Sequence, residues 1–145
     1  MTDSFRAATQ SDTAVLMLAT SDGPDLDGVL TVLVRHEPDY VLVTVAGEVD
    51  FASAAGLREQ LFTLAPAGRP LVADLDRVSF IDAAGLGVLA GAARQAAAEG
   101  TSLQVVCARR RVRQLFGLTQ LDQAVPVAAS LAEVQVAAPA HAEAV

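Results

Sequence analysis

Two aspartates make the strongest chemical suggestion in this chain. Asp50 closes Val45-Ala46-Gly47-Glu48-Val49-Asp50 and Asp82 closes Val78-Ser79-Phe80-Ile81-Asp82; each ends a largely apolar run and directly precedes residues of helical spacing. Paired carboxylates at strand ends could divide general acid and base work. Each could equally accept backbone N–H groups from the first turn of the helix that follows. Capping is the stronger reading, because no nucleophile is spaced to work with either residue. No Ser/His/Asp or Cys/His set is visible, and neither a lysine nor a G-x-x-x-x-G-K-[ST] phosphate loop is present. Catalysis is therefore not expected.

Other residues that could do chemistry have plainer explanations. Cys107 ends the apolar run Leu103-Gln104-Val105-Val106-Cys107, which suits a buried strand thiol better than a nucleophile. A single cysteine excludes an internal disulfide framework, and His36 and His141 stand apart from any ligand spacing, so neither metal nor cofactor is expected. Gly85-Leu86-Gly87-Val88-Leu89-Ala90 fits the dinucleotide fingerprint formally. That fingerprint wants a ribose-binding acid about twenty residues on, at the end of the next strand, and here that strand ends in Cys107-Ala108-Arg109. The basic run Arg109-Arg110-Arg111-Val112-Arg113 reads as a solvated helix face, since Val112, Leu115 and Phe116 supply an apolar face to the same helix.

The whole chain sets the frame. Its 145 residues suit one domain with a real core, and 52% apolar against 19% charged residues argues for a packed globular protein. A net charge of −7 disfavours nucleic acid and anionic membrane surfaces as partners. The apolar run Ala14 to Ala19 is too short to span a bilayer and lacks a basic leader, so a cytoplasmic protein is expected.

The elements that must position the aspartates can be read in order. Residues 1–28 mix Ser, Thr, Asp and Gly and read as a flexible arm, although the run from Ala14 leaves open an extra strand or short helix. Leu30 to His36 and Tyr40 to Ala46 form an antiparallel hairpin, the second strand apolar on both faces except Thr44. Gly47 to Asp50 breaks that strand. The spacing then predicts a helix over Phe51 to Leu64 with Ala54, Leu57, Leu61 and Leu64 on one stripe. A third strand starts at Leu71 and bends near Asp76-Arg77. The second helix, Ala83 to about Ala98, carries no charge before Arg94. One of its faces must meet the sheet, and the other is either covered or offered to a partner. Leu103 to Cys107 is a fourth strand, a third helix ends near Gly117, and Ala124-Val125-Pro126-Val127 is a short edge strand. Ser130 and Glu133 have capping-box spacing for a last helix to Val136, and residues 138–145 read as a disordered tail. This is an α/β domain over residues 29–137 with a mixed sheet of four to five strands and about four helices.

The stretch Asp74-Leu75-Asp76-Arg77-Val78-Ser79-Phe80-Ile81-Asp82-Ala83-Ala84-Gly85-Leu86-Gly87-Val88-Leu89 resembles the signature of STAS domains, specifically the single-domain anti-sigma factor antagonists. Ala46-Gly47-Glu48-Val49-Asp50 resembles the family's Gly-Glu-Leu-Asp loop, and the likeness runs from about Leu30 to Val136. The resemblance implies a switch protein without catalysis of its own. Such a protein binds an anti-sigma factor, usually a serine kinase with a histidine-kinase-like ATP fold, and so regulates transcription. In the family that kinase phosphorylates a serine in an Asp-Ser-Ser/Thr-Gly motif and breaks the complex. The motif here reads Asp82-Ala83-Ala84-Gly85, with Ala83 at the acceptor position. The resemblance thus implies a partner surface of Glu48, Val49, Asp50, Asp82, Ala83, Ala84, Gly85 and Leu86, without the usual acceptor. It leaves an alternative: a STAS scaffold or sensor module with a non-kinase partner, in a stress-signalling complex or transport-associated assembly. Phosphorylation transferred to Ser79 or Ser53 is a further option, with Ser79 expected to be poorly accessible inside its strand.

Overall fold

The computed structural model describes residues 13–18, 30–64 and 68–134. Six strands form one sheet in the spatial order of the chain: β1 (Thr13–Leu18), β2 (Leu30–His36), β3 (Val41–Val49), β4 (Leu71–Ile81), β5 (Leu103–Val106) and β6 (Val127–Ala128). β1, β2 and β3 pair antiparallel, while β3, β4, β5 and β6 pair parallel. Three α-helices make the crossovers: α1 (Phe51–Leu64), α2 (Ala83–Ala98) and α3 (Arg110–Leu118). The α/β class with a mixed sheet is as expected, and β1 adds a strand to the expected number. It is the extra strand that the run from Ala14 left open. The remainder of the expected arm and the whole of the expected tail lie outside the described residues.

The core follows from alternation along the strands. Leu30, Val32 and Val34 of β2, Val41, Val43 and Val45 of β3, Leu71, Ala73 and Leu75 of β4, and Leu103, Val105 and Cys107 form one buried cluster. Into it pack Leu57 and Leu61 of α1, Leu86, Leu89, Ala92 and Ala96 of α2, and Val112 and Phe116 of α3. All three helices therefore cover the same sheet face. The reverse face holds a small second cluster of Leu42, Val72 and Val106, with Tyr40 and Val134 against it. This is why β3 is apolar on both sides.

Several boundaries differ from expectation; the edge strand expected over Ala124 to Val127 forms later, at Val127–Ala128. β3 does not stop at Gly47 but runs on to Val49, and the bend expected in β4 near Asp76-Arg77 takes the form of two bulges that absorb the irregular residues. Thr44 pairs Asp74 while Ala46 pairs Arg77, and Gly47 pairs Val78 while Glu48 pairs Phe80. Each bulge inserts one residue into β4 and returns the next apolar residue, Val78 and then Ile81, to the helix side. Gly47 tolerates the distortion at φ 114°, a conformation that side chains rarely adopt. At the end of α3, Gly117 is not the cap. The helix reaches Leu118, Thr119 Oγ1 donates to Leu115 O at 2.7 Å, and Gln120 takes the left-handed conformation at φ 61°. The expected last helix is a 3-10 turn, Leu131–Glu133, in which Ser130 makes no side-chain cap. Glu133 reaches back instead to the Ala129 N–H at 3.2 Å, and Val134 is already extended.

Candidate functional site

Parallel pairing of β3, β4 and β5 gathers their carboxyl ends at one edge of the sheet, the usual location of a binding site in parallel α/β folds. The two aspartates singled out in the sequence stand there. Asp50 and Ser53 cap α1 reciprocally: Ser53 N donates to Asp50 Oδ1 at 3.0 Å, and Asp50 N donates to Ser53 Oγ at 3.0 Å. The Ser53 hydroxyl also donates to Glu48 O at 2.8 Å, tying the start of the helix to the last residues of β3. Ser53 is buried, the sole polar side chain so placed among the described residues.

Asp82 does more than cap its own helix. Its Oδ1 accepts Gly85 N at 3.1 Å, its backbone O accepts Leu86 N at 2.9 Å, and its own N–H donates to Val49 O at 3.1 Å. Oδ2 accepts the N–H of Phe51, the first residue of α1, at 3.2 Å. One carboxylate thus serves the N-termini of both long helices. With their partners the backbone N–H groups of the helix starts and, for Asp50, also the Ser53 hydroxyl at 3.2 Å, Asp50 and Asp82 act as caps and not as paired acid and base.

Gly85 explains how α2 begins so close to the strand ends. A Cβ at this position would lie 2.6 Å from Val49 Cγ1, 2.8 Å from Ile81 Cγ1 and 2.8 Å from Val49 O. The first turn of α2 rests directly on the end of β3, and only a residue without a side chain fits.

The eight residues expected at a partner surface divide into a support and a surface. Val49, Gly85 and Leu86 are buried; they position the edge. Glu48, Asp50, Asp82 and Ala84 are half-buried, and Ala83 is exposed. From Ala83 a narrow exposed stripe runs along α2 through Gly87, Arg94 and Ala98, while Val88, Leu89, Ala90, Ala92, Ala93 and Ala96 are buried. Most of α2 is thus covered; besides this stripe, Ala97 is exposed and Ala84, Gly91 and Gln95 are half-buried.

Two large residues at the edge escaped the sequence reading. Phe51 is 84% exposed and Phe80 is 49% exposed. Phe51 lies three residues before Ala54, at core spacing, so periodicity would have buried it; it stands out because α1 begins beyond the end of the sheet. Phe80 points away from the core because of the second bulge. Ser79, expected to be poorly accessible, is in fact exposed: it is the unpaired residue of this bulge, on the side away from Val78, and donates only a long 3.3 Å hydrogen bond to Gly47 O.

At the neighbouring end of β5, Asp76 Oδ1 accepts Ala108 N at 2.6 Å and the Arg109 guanidinium donates to Val78 O. Arg109 thereby covers part of the β4 backbone beyond the end of its pairing with β5. Cys107 is buried, and burial pushes its thiol above the ordinary range, so it is a core residue and a poor nucleophile. Among the described residues, no group of His, Cys, Asp and Glu could hold a metal, and no helix is long and apolar enough to cross a membrane.

This arrangement of sheet, helices and edge has known counterparts. Residues 31–134 match the STAS domain, and the chain belongs to that family. An anti-sigma-B factor antagonist of Bacillus subtilis (strain 168) is 35% identical over 100 residues, covering 69% of this chain and 92% of the relative. An antagonist of the same description from Listeria monocytogenes is 30% identical over 94 residues, covering 64% of this chain and 82% of the relative. The crystal structure of an anti-sigma factor antagonist from Mycobacterium paratuberculosis superposes with a TM-score of 0.67 at 30% identity, over 72% of this chain and 89% of that one.

Proposed function

We propose that this chain is an anti-sigma factor antagonist: it binds an anti-sigma factor of the serine-kinase type through the edge formed by Glu48, Asp50, Asp82, Ala83 and Ala84, and acts by binding alone. The observation that carries this reading is an exposed, rigidly capped helix start in a chain 35% identical to an anti-sigma-B factor antagonist. Asp82 holds the first turn of α2 in place, and Ala83 is the residue that turn presents to solvent.

Ala83 and Ala84 give a kinase docked at this turn no hydroxyl to phosphorylate. A phosphoserine here would add close to two negative charges beside Asp82 and Asp50 and oppose association. Without an acceptor, the antagonist stays competent to bind, and its effect is set by its abundance. Ser53 offers no replacement, since its hydroxyl is buried and fully engaged.

The test has two stages. The intact protein, purified from its own cells, should bring down a small anti-sigma kinase; a transporter or a large scaffold in its place would favour the alternative STAS module and overturn this reading. The recovered kinase and labelled ATP should then leave the protein unlabelled, whereas Ala83→Ser should take up phosphate. Label in the unaltered protein, mapped to Ser79 or elsewhere, would overturn the claim that binding is constitutive. Ala83→Asp should weaken the complex while leaving the domain folded, because an acid in the first turn of a helix suits the macrodipole.

A further inference from the structure

The described residues expose four large apolar side chains, Phe51, Phe80, Leu118 and Leu131. The two aromatic ones share the docking edge. Phe51 directly follows Asp50, and Phe80 is the register partner of Glu48 and lies two residues before Asp82. Phenylalanine is enriched where proteins meet, and a few buried anchors carry most of the binding energy there.

Both rings are presented from fixed backbone. The Phe51 N–H is held by Asp82 Oδ2 at 3.2 Å, and Phe80 sits where β4 is paired to β3 on either side of the bulge. Backbone held this way needs no further ordering on binding, which favours affinity. Around the rings stand the carboxylates of Glu48, Asp50 and Asp82, none of which forms an ion pair among the described residues. The one ion pair there, Arg35 with Glu37, lies at the opposite end of the sheet.

We infer that Phe51 and Phe80 are the aromatic anchors of the docking edge, each seated in an apolar pocket of the anti-sigma factor whose rim carries arginine or lysine facing Glu48, Asp50 and Asp82. The inference rests on the proposed function and adds to it the two residues that dominate affinity and the chemistry of the partner's surface. Charge decides between occupants. A second copy of this chain would bring the same three carboxylates against one another on a molecule of net charge −7, whereas a basic rim is complementary and speeds encounter.

The experiment uses the full chain labelled with 4-fluorophenylalanine at its five phenylalanines and titrated with the anti-sigma factor recovered by co-purification. The fluorine signals of Phe51 and Phe80, assigned through Phe51→Leu and Phe80→Leu, should move on binding, while that of buried Phe116 should not. Phe51→Ala should lower affinity by about ten-fold or more, and added salt should slow association. Leu118→Ala is the control: this residue is equally exposed at the far end of α3, and its loss should change nothing. Unchanged affinity in both Phe51→Ala and Phe80→Ala, with binding still lost in Ala83→Asp, overturns the anchors and leaves the proposed function standing. Failure of the unaltered protein to bind any anti-sigma factor overturns both. Self-association that disappears in Phe51→Ala would assign the edge to a second copy and overturn the inference.

Discussion

The carboxylate of Asp82 receives the N–H of Phe51 at 3.2 Å across 31 residues of chain, while its other oxygen caps α2. The starts of α1 and α2 are therefore one structural unit at the edge that carries Ala83 and Phe51. Whatever displaces one helix start loosens the other.

Asp82→Ala should remove both acceptors and cost about 2 kcal/mol, the upper range for loss of a helix cap. Asp82→Asn keeps one acceptor oxygen and should fall between the two. Urea unfolding of the three proteins checks the order, and hydrogen exchange should speed at both Phe51 and Gly85 in the alanine variant. Acceleration confined to α2 would refute the shared cap.

Two glycines of α2 should respond oppositely to alanine. At Gly85 the new Cβ meets Val49 and Ile81 inside 3 Å, so overpacking of about 1–3 kcal/mol should exceed the gain in helix propensity. At Gly87 nothing lies within 4 Å, and the same change should stabilise by up to about 1 kcal/mol. Thermal melts of Gly85→Ala and Gly87→Ala should shift in opposite directions.

Ser53→Ala should cost about 1–2 kcal/mol, since it leaves the Asp50 N–H without its acceptor and removes the bond to Glu48 O. Ser53→Thr keeps the hydroxyl but must place an extra methyl in a buried site, and should recover only part of the loss. Denaturant midpoints distinguish the two variants.

Cys107 makes the fold sensitive to alkali. Burial raises its thiol above the ordinary value of 9.0, so the unfolded chain gives up that proton first. Below pH 9.0 the stabilisation is complete; above it the native state binds more protons than the unfolded state, and stability falls until the raised value is passed. Cys107→Ala should flatten the decline above pH 9.0 in pH-dependent unfolding, and the thiol of the folded protein should react slowly with alkylating agents.

Much of this architecture was legible in the chain because its signals are local. Asp50 and Asp82 mark the two helix starts, and Leu57 and Leu61 at helical spacing against alternating strands specify which faces bury. The departures came where long-range pairing decides. β1 becomes a strand by pairing from Thr13 with Arg35 to Leu18 with Leu30, which no window of local sequence reveals. Phe80, two residues after buried Val78, looks like an interior strand residue until the bulge between the partners Gly47 and Glu48 turns it outward. Phe51 carries core spacing, yet it protrudes because the sheet ends beneath it. At the end of the described residues, the Ser130 and Glu133 spacing is genuine, but Glu133 satisfies Ala129 and the chain extends at once.

Gly85 has a consequence for genetics. Every missense change at a glycine codon adds at least a Cβ, and at this position the first added atom already overlaps Val49 and Ile81. If the edge binds as proposed, a random screen for loss of binding should therefore return Gly85 whatever amino acid replaces it, and each such hit would report a displaced helix, not a lost contact. By the proposed function, mutations at Ala83, where the side chain meets solvent, would instead report a lost contact.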